Sequence, residues 1–170
     1  SLEPLLAFVT KGRINGNAGT SADVDAKCQS EATAHGLSGT YYAWLSFDEA
    51  SSPALRFAVH ERPYVLPGPD MPVVAVGLDD LLSGNHEHEI NRGPDVVVLP
   101  PKEGCSVDSL VWTGTTNDGK VHASNCKGFT SADMAEKGNA GRFSGNGIGW
   151  SAHCVFECNN SLPFYCFQQP

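Results

Sequence analysis

The sequence predicts an α+β domain with a mostly antiparallel sheet, one main helix near the N-terminus, many loops and a set of disulfides. Short apolar runs of strand length are spread along the chain, and only one segment carries sustained helical spacing. Six cysteines are present, and 18 glycines and 11 prolines separate the runs. No repeat, low-complexity tract or linker divides the 170 residues, so residues 1–170 are predicted to form a single domain.

The first elements are a strand and the main helix. The apolar run 5–9 predicts a short buried strand. Ser21 stands where an N-cap belongs, and helix-forming residues continue to Ala34, after which glycines end the helix. An apolar residue stands four positions before Cys28 and another four positions after it, which places Cys28 on the buried stripe of this helix. That position suits a structural disulfide better than a reactive thiol.

The later elements are shorter. A short helix is predicted over 78–83, and Thr130 with Asp133 resembles a capping box that opens another helix, ended by Gly138. Residues 141–149 are rich in glycine and are predicted to form a loop. Apolar runs of strand length predict strands at 41–46, 55–59, 73–76, 96–99, 110–112 and 164–167.

The charge of the chain excludes one class of partner. Lys and Arg together number 11 against 19 Asp and Glu, so the net charge is −8. Because phosphate and sulfate partners require concentrated positive charge, no nucleic-acid partner is expected. No apolar run approaches the length of about 18 residues that a membrane span needs, so no membrane insertion is expected either.

The cysteines predict three disulfides and therefore an oxidising location, either extracellular or at a cell surface. Their number is even and no Cys-x-x-Cys occurs. The closest pair faces no second tight pair of Cys or His, as a structural zinc site would require. Many pairings are open to six cysteines, and their spacing does not choose between them. The residues are Cys28, Cys105, Cys126, Cys154, Cys158 and Cys166.

Several motifs occur in an order and spacing that cover nearly the whole chain. Gly-Thr-Ser-Ala-Asp opens the segment 19–28, and His-Gly-Leu-Ser-Gly-Thr-Tyr-Tyr-Ala-Trp-Leu-Ser occupies 35–46. Val-Trp-Thr-Gly follows at 111–114, Ser-Asn-Cys at 124–126, and the last two cysteines are separated by seven residues. In this order they resemble the endostatin domain of certain collagens and an uncharacterised endostatin-like family of bacterial surface lipoproteins. Both families have the C-type-lectin-like fold.

The resemblance implies a C-type-lectin-like fold and a nested pair of disulfides. Cys28–Cys166 is then the outer bridge and Cys126–Cys158 the inner one, which leaves Cys105 and Cys154 for a third. Endostatins bind heparan sulfate through clustered arginines and can hold zinc through histidines near the N-terminus. Neither the clustered arginines nor the N-terminal histidines are present before the predicted helix. Heparin binding is therefore not expected, and no cofactor is implied. The tripeptides that form the calcium-dependent sugar site of true C-type lectins are also missing.

The most distinctive polar cluster is His-Glu-His-Glu at 86–89. If this segment is extended, its alternation puts His86 and His88 on one face, where a third ligand from elsewhere would complete a zinc, copper or nickel site. The alternative interpretation is a solvated loop, because glycine, asparagine and proline flank the cluster.

Two aromatic residues are candidate ligand contacts. Trp150 borders the glycine-rich loop, and Tyr64 lies in the proline-rich residues 62–71, a stiff loop that can present a recognition surface. For Trp150, burial in the core is the competing and favoured interpretation, because a tryptophan has a large area to bury. No catalytic residue is predicted, since Ser151 and His153 are sequence neighbours for which nothing nominates an oxyanion hole.

The expected function is non-catalytic recognition of a protein or glycan by a secreted or cell-surface module, and the chain is not expected to be an enzyme. Two alternatives stay open. One is a metal-binding protein or metal-dependent enzyme centred on His86 and His88. The other is a purely structural domain of a larger envelope protein. The sequence does not identify the ligand.

Overall fold

Eight strands and one long helix form the α+β fold that the sequence predicts. The computed structural model describes residues 2–170, so Ser1 of the predicted domain lies outside the described residues. The helices are α1 (Ser21–Ala34), α2 (Pro53–Arg56) and α3 (Gly77–Leu81). The strands are β1 (Leu5–Val9), β2 (Thr40–Ala43), β3 (Pro63–Val65), β4 (Val73–Val76), β5 (Leu110–Trp112), β6 (Lys137–Arg142), β7 (Cys154–Glu157) and β8 (Tyr165–Gln169).

The strands form two sheets that are mostly antiparallel. The larger sheet has the order β2-β8-β1-β3-β4, and the smaller has the order β5-β6-β7. Every pair of named strands is antiparallel except β1 with β3. The C-terminal strand β8 therefore lies inside the larger sheet, between β1 and β2, where both of its edges are paired. None of the helices in residues 2–170 is long and apolar enough to cross a membrane.

The core contains all three tryptophans, and each of them is fully buried. The indole N–H of Trp44 donates to Ser151 Oγ at 2.8 Å, and that of Trp112 donates to the carbonyl oxygen of Ile14 at 2.9 Å. The rings of Trp44 and Trp150 pack with their centroids 4.6 Å apart. Because aromatic side chains bury the largest apolar areas, these rings dominate the packing of the core.

The capping of α1 differs from the prediction by one residue. The N-cap is Thr20, and Ser21 is the first residue of the helix. The Thr20 hydroxyl accepts from the Asp23 N–H, and the Asp23 carboxylate accepts from the Thr20 N–H at 2.9 Å. These bonds from Thr20 hold the pKa of Asp23 below its ordinary value. Cys28 is fully buried on the inner face of α1, as its spacing predicts.

Two predicted strands are wrong. The segment 55–59 is not a strand, because the helix α2 begins at Pro53 and includes the first two residues of the segment. The fixed φ of proline suits the first helical position. At 96–99, the chain forms only one isolated antiparallel bridge. The φ of Val96 is 71°, which lies in the left-handed region and interrupts the extended backbone that a regular strand needs.

The helix predicted after Thr130 is absent. Residues 131–136 form irregular chain and a turn, and Gly138 belongs to β6 instead of ending a helix. The Asp133 carboxylate accepts from the N–H two residues further on at 2.9 Å. Such local bonds of aspartate compete with helix formation, which explains why the apparent capping box opens a turn.

Three disulfides cross-link the fold, and all six cysteines are bonded. One disulfide joins α1 to β8. Another contains Cys105, whose side of the bridge is exposed to solvent. The pairs are those that the resemblance implies: Cys28–Cys166, Cys105–Cys154 and Cys126–Cys158.

Candidate functional site

His86 lies in the core and not in a solvated loop. Its ring packs on Trp150 with the centroids 4.4 Å apart, and its Nε2 lies 3.1 Å from the carbonyl oxygen of Leu81. Because a carbonyl only accepts, Nε2 carries the proton of the neutral ring and donates it there. Nδ1 is buried and meets no hydrogen-bond partner in residues 2–170. His86 therefore occupies a structural position beneath the chain surface.

His88 is half-buried and makes local contacts. Its Nδ1 lies 2.7 Å from the carbonyl oxygen of Glu89 and 3.5 Å from the carboxylate of the same residue. Within residues 2–170, the one group of three or more potential metal ligands is His153 with the sulfurs of Cys105 and Cys154, which are bonded to each other. The described chain brings no third ligand to His86 and His88.

The buried His86 ring makes the stability of the domain depend on pH. Burial lowers the pKa of His86 below 6.5, although the bond to Leu81 and the charge of Asp80 oppose this shift. As the pH falls below 6.5, the unfolded chain takes up a proton at this ring while the native chain does not. Stability therefore falls with decreasing pH until the lower, native pKa is passed. We expect the melting temperature to decrease between about pH 7 and about pH 5.

The variant His86→Gln is expected to flatten this pH dependence, because glutamine retains an amide donor for Leu81 and has no charge to gain. The control His35→Gln changes an exposed ring and should leave the dependence of the melting temperature on pH as it is in the parent. Burial also lowers the pKa of His60 and of His153, so part of the slope should remain in His86→Gln. Equal slopes in the two variants would show that His86 is not the group responsible.

The structure corrects the prediction of Trp150 and Tyr64 as candidate ligand contacts, because both side chains are fully buried. Trp150 packs inside the aromatic core, as the competing interpretation held. The Tyr64 hydroxyl lies 2.7 Å from His60 Nε2, and its ring meets Phe167 edge-on at 5.3 Å. Burial raises the pKa of Tyr64 above its ordinary value. Neither residue presents surface to a ligand.

Ser151 joins several segments inside the core. Its hydroxyl accepts from the Trp44 indole at 2.8 Å and donates to the carbonyl oxygen of Thr115 at 2.7 Å. Its own carbonyl oxygen accepts from the side chains of Asn139 at 2.8 Å and Thr113 at 2.6 Å. These bonds assign Ser151 a structural role, which no local sequence pattern indicates because its partners are distant along the chain.

A groove of about 240 Å³ lies where the end of β1 meets two loops. Its floor includes the buried side chains of Val9 and Phe143. Val97, Val107 and Arg13 are also among its lining residues. We call this concave surface the Val97 groove.

Two exposed valines line the Val97 groove, and two more are sequence neighbours of Val97. The exposed fractions are 57% for Val97 and 39% for Val107, which line it, and 40% for Val96 and 54% for Val98. Grouped exposed apolar residues of this kind mark interaction surfaces on soluble proteins. The wall that carries Val107 follows Cys105 closely, so the Cys105–Cys154 bridge ties it to β7.

The charges at the groove are unevenly paired. Lys11 forms an ion pair with Asp95, and the bond from Lys11 holds the pKa of Asp95 below its ordinary value. Arg13 instead donates to carbonyl oxygens, at 2.9 Å to Val107 and 3.4 Å to Ser161. Among the ion pairs of residues 2–170, none involves Arg13. The groove therefore has an apolar interior and one cation without an acidic partner at its opening.

No protein-family model matches this chain, and no curated protein matches it either. The assignment of a site therefore rests on the geometry of the chain itself. Sequence reasoning missed the Val97 groove, because its lining residues come from five separate segments of the chain. The valine run 96–98 is the one sequence feature that points to this surface, and its pattern predicts a strand.

Proposed function

We propose that this chain is a secreted or cell-surface recognition module with the endostatin-like form of the C-type-lectin-like fold. It binds a protein or glycan partner at the Val97 groove and has no catalytic role. The observation that carries the proposal is the groove itself: a concave, mainly apolar surface whose lining includes the exposed valines Val97 and Val107. Concave apolar sites with a few polar groups at the edge are the usual places where proteins bind ligands.

The fold supports this proposal at two points. An α+β domain with mostly antiparallel sheets is compatible with the C-type-lectin-like fold that the sequence motifs resemble. The three disulfide pairs are those that the resemblance implies, including the bridge from α1 to the C-terminal strand. The disulfides also suit an oxidising location outside the cytoplasm.

The environment of the chemically active side chains supports a role in recognition over one in catalysis. His86 and Ser151 are held by bonds to the core, at Nε2 and Oγ respectively. Lys11 and Arg13 border the groove, where they can contact a bound partner. Surface loops fixed by disulfides provide a preorganised binding surface, which lowers the entropy lost on binding.

The proposal is tested with two defined probe sets, a phage-displayed library of random peptides and a glycan array. Each is applied to the parent domain and to the double variant Val97→Glu/Val107→Glu, which places two carboxylates in the apolar groove. The control is Val155→Glu, an exposed valine on β7 that does not line the groove. Because burying an unpaired charge is unfavourable, we expect the double variant to lose about tenfold or more in affinity.

The control Val155→Glu is expected to bind like the parent. Ligands retained equally by the parent and by the double variant would contradict recognition at the Val97 groove. A failure of both probe sets to yield any ligand would favour the purely structural role. Circular dichroism of each variant establishes that the fold is intact, which is expected because all three valines are substantially exposed.

A further inference from the structure

Beside the Val97 groove, segment 97–99 forms an outer edge that no other segment pairs with in residues 2–170. The Val9 N–H donates to the carbonyl oxygen of Arg92 at 2.8 Å, which joins segment 91–93 to the end of β1. Segment 97–99 then pairs with 91–93, since the Gly93 N–H donates to Val97 at 3.0 Å and Leu99 donates back to this segment at 2.7 Å. Two short segments, joined to each other by one antiparallel bridge, thus lead outward from β1.

Val98 is the residue that leaves the edge open. In an antiparallel bridge of this type, the backbone groups of the two facing residues point away from each other. The N–H and C=O of Val98 accordingly face away from Arg92, and neither bonds any backbone or side-chain atom of residues 2–170. An exposed donor and acceptor on β-branched residues form a template for one more strand.

The flanks of this edge disfavour a second copy of the chain as the occupant. Pro94, Pro100 and Pro101 stand on either side of the valines, and proline cannot donate to a strand ladder. The edge is therefore only a few residues long, which suits a short peptide and gives two copies little main-chain pairing. Two copies would also bring together whole domains that each carry a net charge of −8, whereas a peptide can present a single carboxylate.

The charges at the groove indicate the chemistry of the occupant. Arg13 uses one guanidinium nitrogen, Nη1, to bond the carbonyl oxygens of Val107 and Ser161, and its other nitrogens have no protein partner in residues 2–170. Lys11 is already paired with Asp95. The carboxylate of Asp108, which also lines the groove, lies 3.9 Å from the Lys102 ammonium. Arg13 is thus the groove cation that is free to bind a carboxylate, for which its planar fork is suited.

We infer that the Val97 groove accepts an extended peptide segment, which adds to the Val98 edge as an extra strand. Alternate side chains of this segment are aliphatic and occupy the apolar groove, and an acidic side chain pairs with Arg13. Main-chain bonds supply affinity in such strand addition, while the pockets for alternate side chains and the charge supply specificity. This inference rests on the proposed function and narrows its ligand to acidic, β-prone peptides.

The test uses an acetylated and amidated probe peptide, Glu-Val-Thr-Val-Thr-Val, titrated into the ¹⁵N-labelled domain. We expect a saturable shift of the Val98 amide signal. Replacing the glutamate of the probe by lysine should weaken binding about fivefold, the upper range for an exposed ion pair. In the variant Arg13→Gln, the two probes should bind equally. N-methylation of the probe at the amides that face Val98 should abolish binding, whereas N-methylation at the alternate amides should not.

Several results would overturn the inference. The first is that the Val98 amide signal does not move at a saturating probe concentration. The second is that the parent domain binds the lysine probe as tightly as the glutamate probe. The third is that neither pattern of N-methylation changes the affinity of the probe. Dimerisation through Val98, detected by sedimentation, would also overturn it in favour of a second copy. If peptides or glycans from the defined libraries still bind the Val97 groove, only the strand addition fails. If nothing binds there, the proposed function fails with it.

Discussion

Removing the Cys28–Cys166 disulfide is expected to cost the domain about 5 kcal/mol of unfolding free energy. This bridge closes a loop of 138 residues, and long loops lose the most entropy when they are closed in the unfolded chain. Both cysteines are fully buried, so the double variant Cys28→Ala/Cys166→Ala also leaves a small cavity in the core. Because whole domains are stable by only about 5–15 kcal/mol, this variant should unfold at a much lower urea concentration.

The matched control is Cys105→Ser/Cys154→Ser. Its bridge closes 49 residues, which makes the loop contribution about 1 kcal/mol smaller, and only its Cys154 end is buried, because Cys105 is exposed. We therefore expect the control to unfold at an intermediate urea concentration. If the control loses as much stability as the Cys28 variant, the bridge between α1 and β8 is not the main cross-link of this fold. Mass spectrometry of the parent without reductant checks that all three bridges are formed.

Truncation of Trp150 is expected to be nearly as damaging. Its ring contacts those of His86, Trp44 and Tyr165, at centroid distances of 4.4, 4.6 and 5.3 Å. The variant Trp150→Ala removes this packing and should cost about 3–5 kcal/mol, measured by urea unfolding. The variant Trp150→Phe keeps an aromatic ring and removes an indole N–H that has no partner within residues 2–170. It should cost clearly less than Trp150→Ala, because the phenyl ring keeps part of the packing and leaves a smaller cavity.

These two variants also decide whether Trp150 is a core residue or a ligand contact. A buried residue controls stability and leaves the affinity of the folded domain unchanged. Trp150→Phe should therefore bind the library-selected ligands as the parent does. A stable Trp150→Ala variant that has lost ligand binding would show that the tryptophan reaches the surface after all.

The parts of the fold that follow from local periodicity could be predicted from the sequence. The spacing around Cys28 placed it on the buried side of α1, and this prediction is confirmed. The apolar run at 110–112 gave β5 at the predicted position. In both cases the pattern reports burial directly, because side chains repeat with the period of the element.

The errors have equally local causes. The apolar residues at 55–59 suggested a strand, but Pro53 starts a helix there. The valines at 96–98 have strong β-propensity, yet the prolines around them and the positive φ of Val96 restrict the segment to one bridge. The β-propensity of these valines thus correctly indicated that they pair with a neighbouring segment, and the tertiary context limited the length of the paired segment.

The candidate site could not be predicted, because it depends on contacts between distant residues. His86 looked like a solvent-facing ligand, and only its contact with Trp150 shows that the ring is buried. The Val97 groove is likewise assembled from Val9, Val97, Val107 and Phe143, which no spacing rule connects. The net charge of −8 carries more information about partners, since it makes nucleic acid an unexpected one.

The most direct test of recognition at the Val97 groove is a map of backbone amide shifts with a ligand selected from the defined libraries. We expect the largest changes at Val97, Val107 and the backbone around Arg13. The surface around Leu55 is the internal comparison, because that side chain is also exposed and lines a separate cavity. Changes centred on Leu55, with the signals of Val97 and Val107 unmoved, would contradict recognition at the Val97 groove.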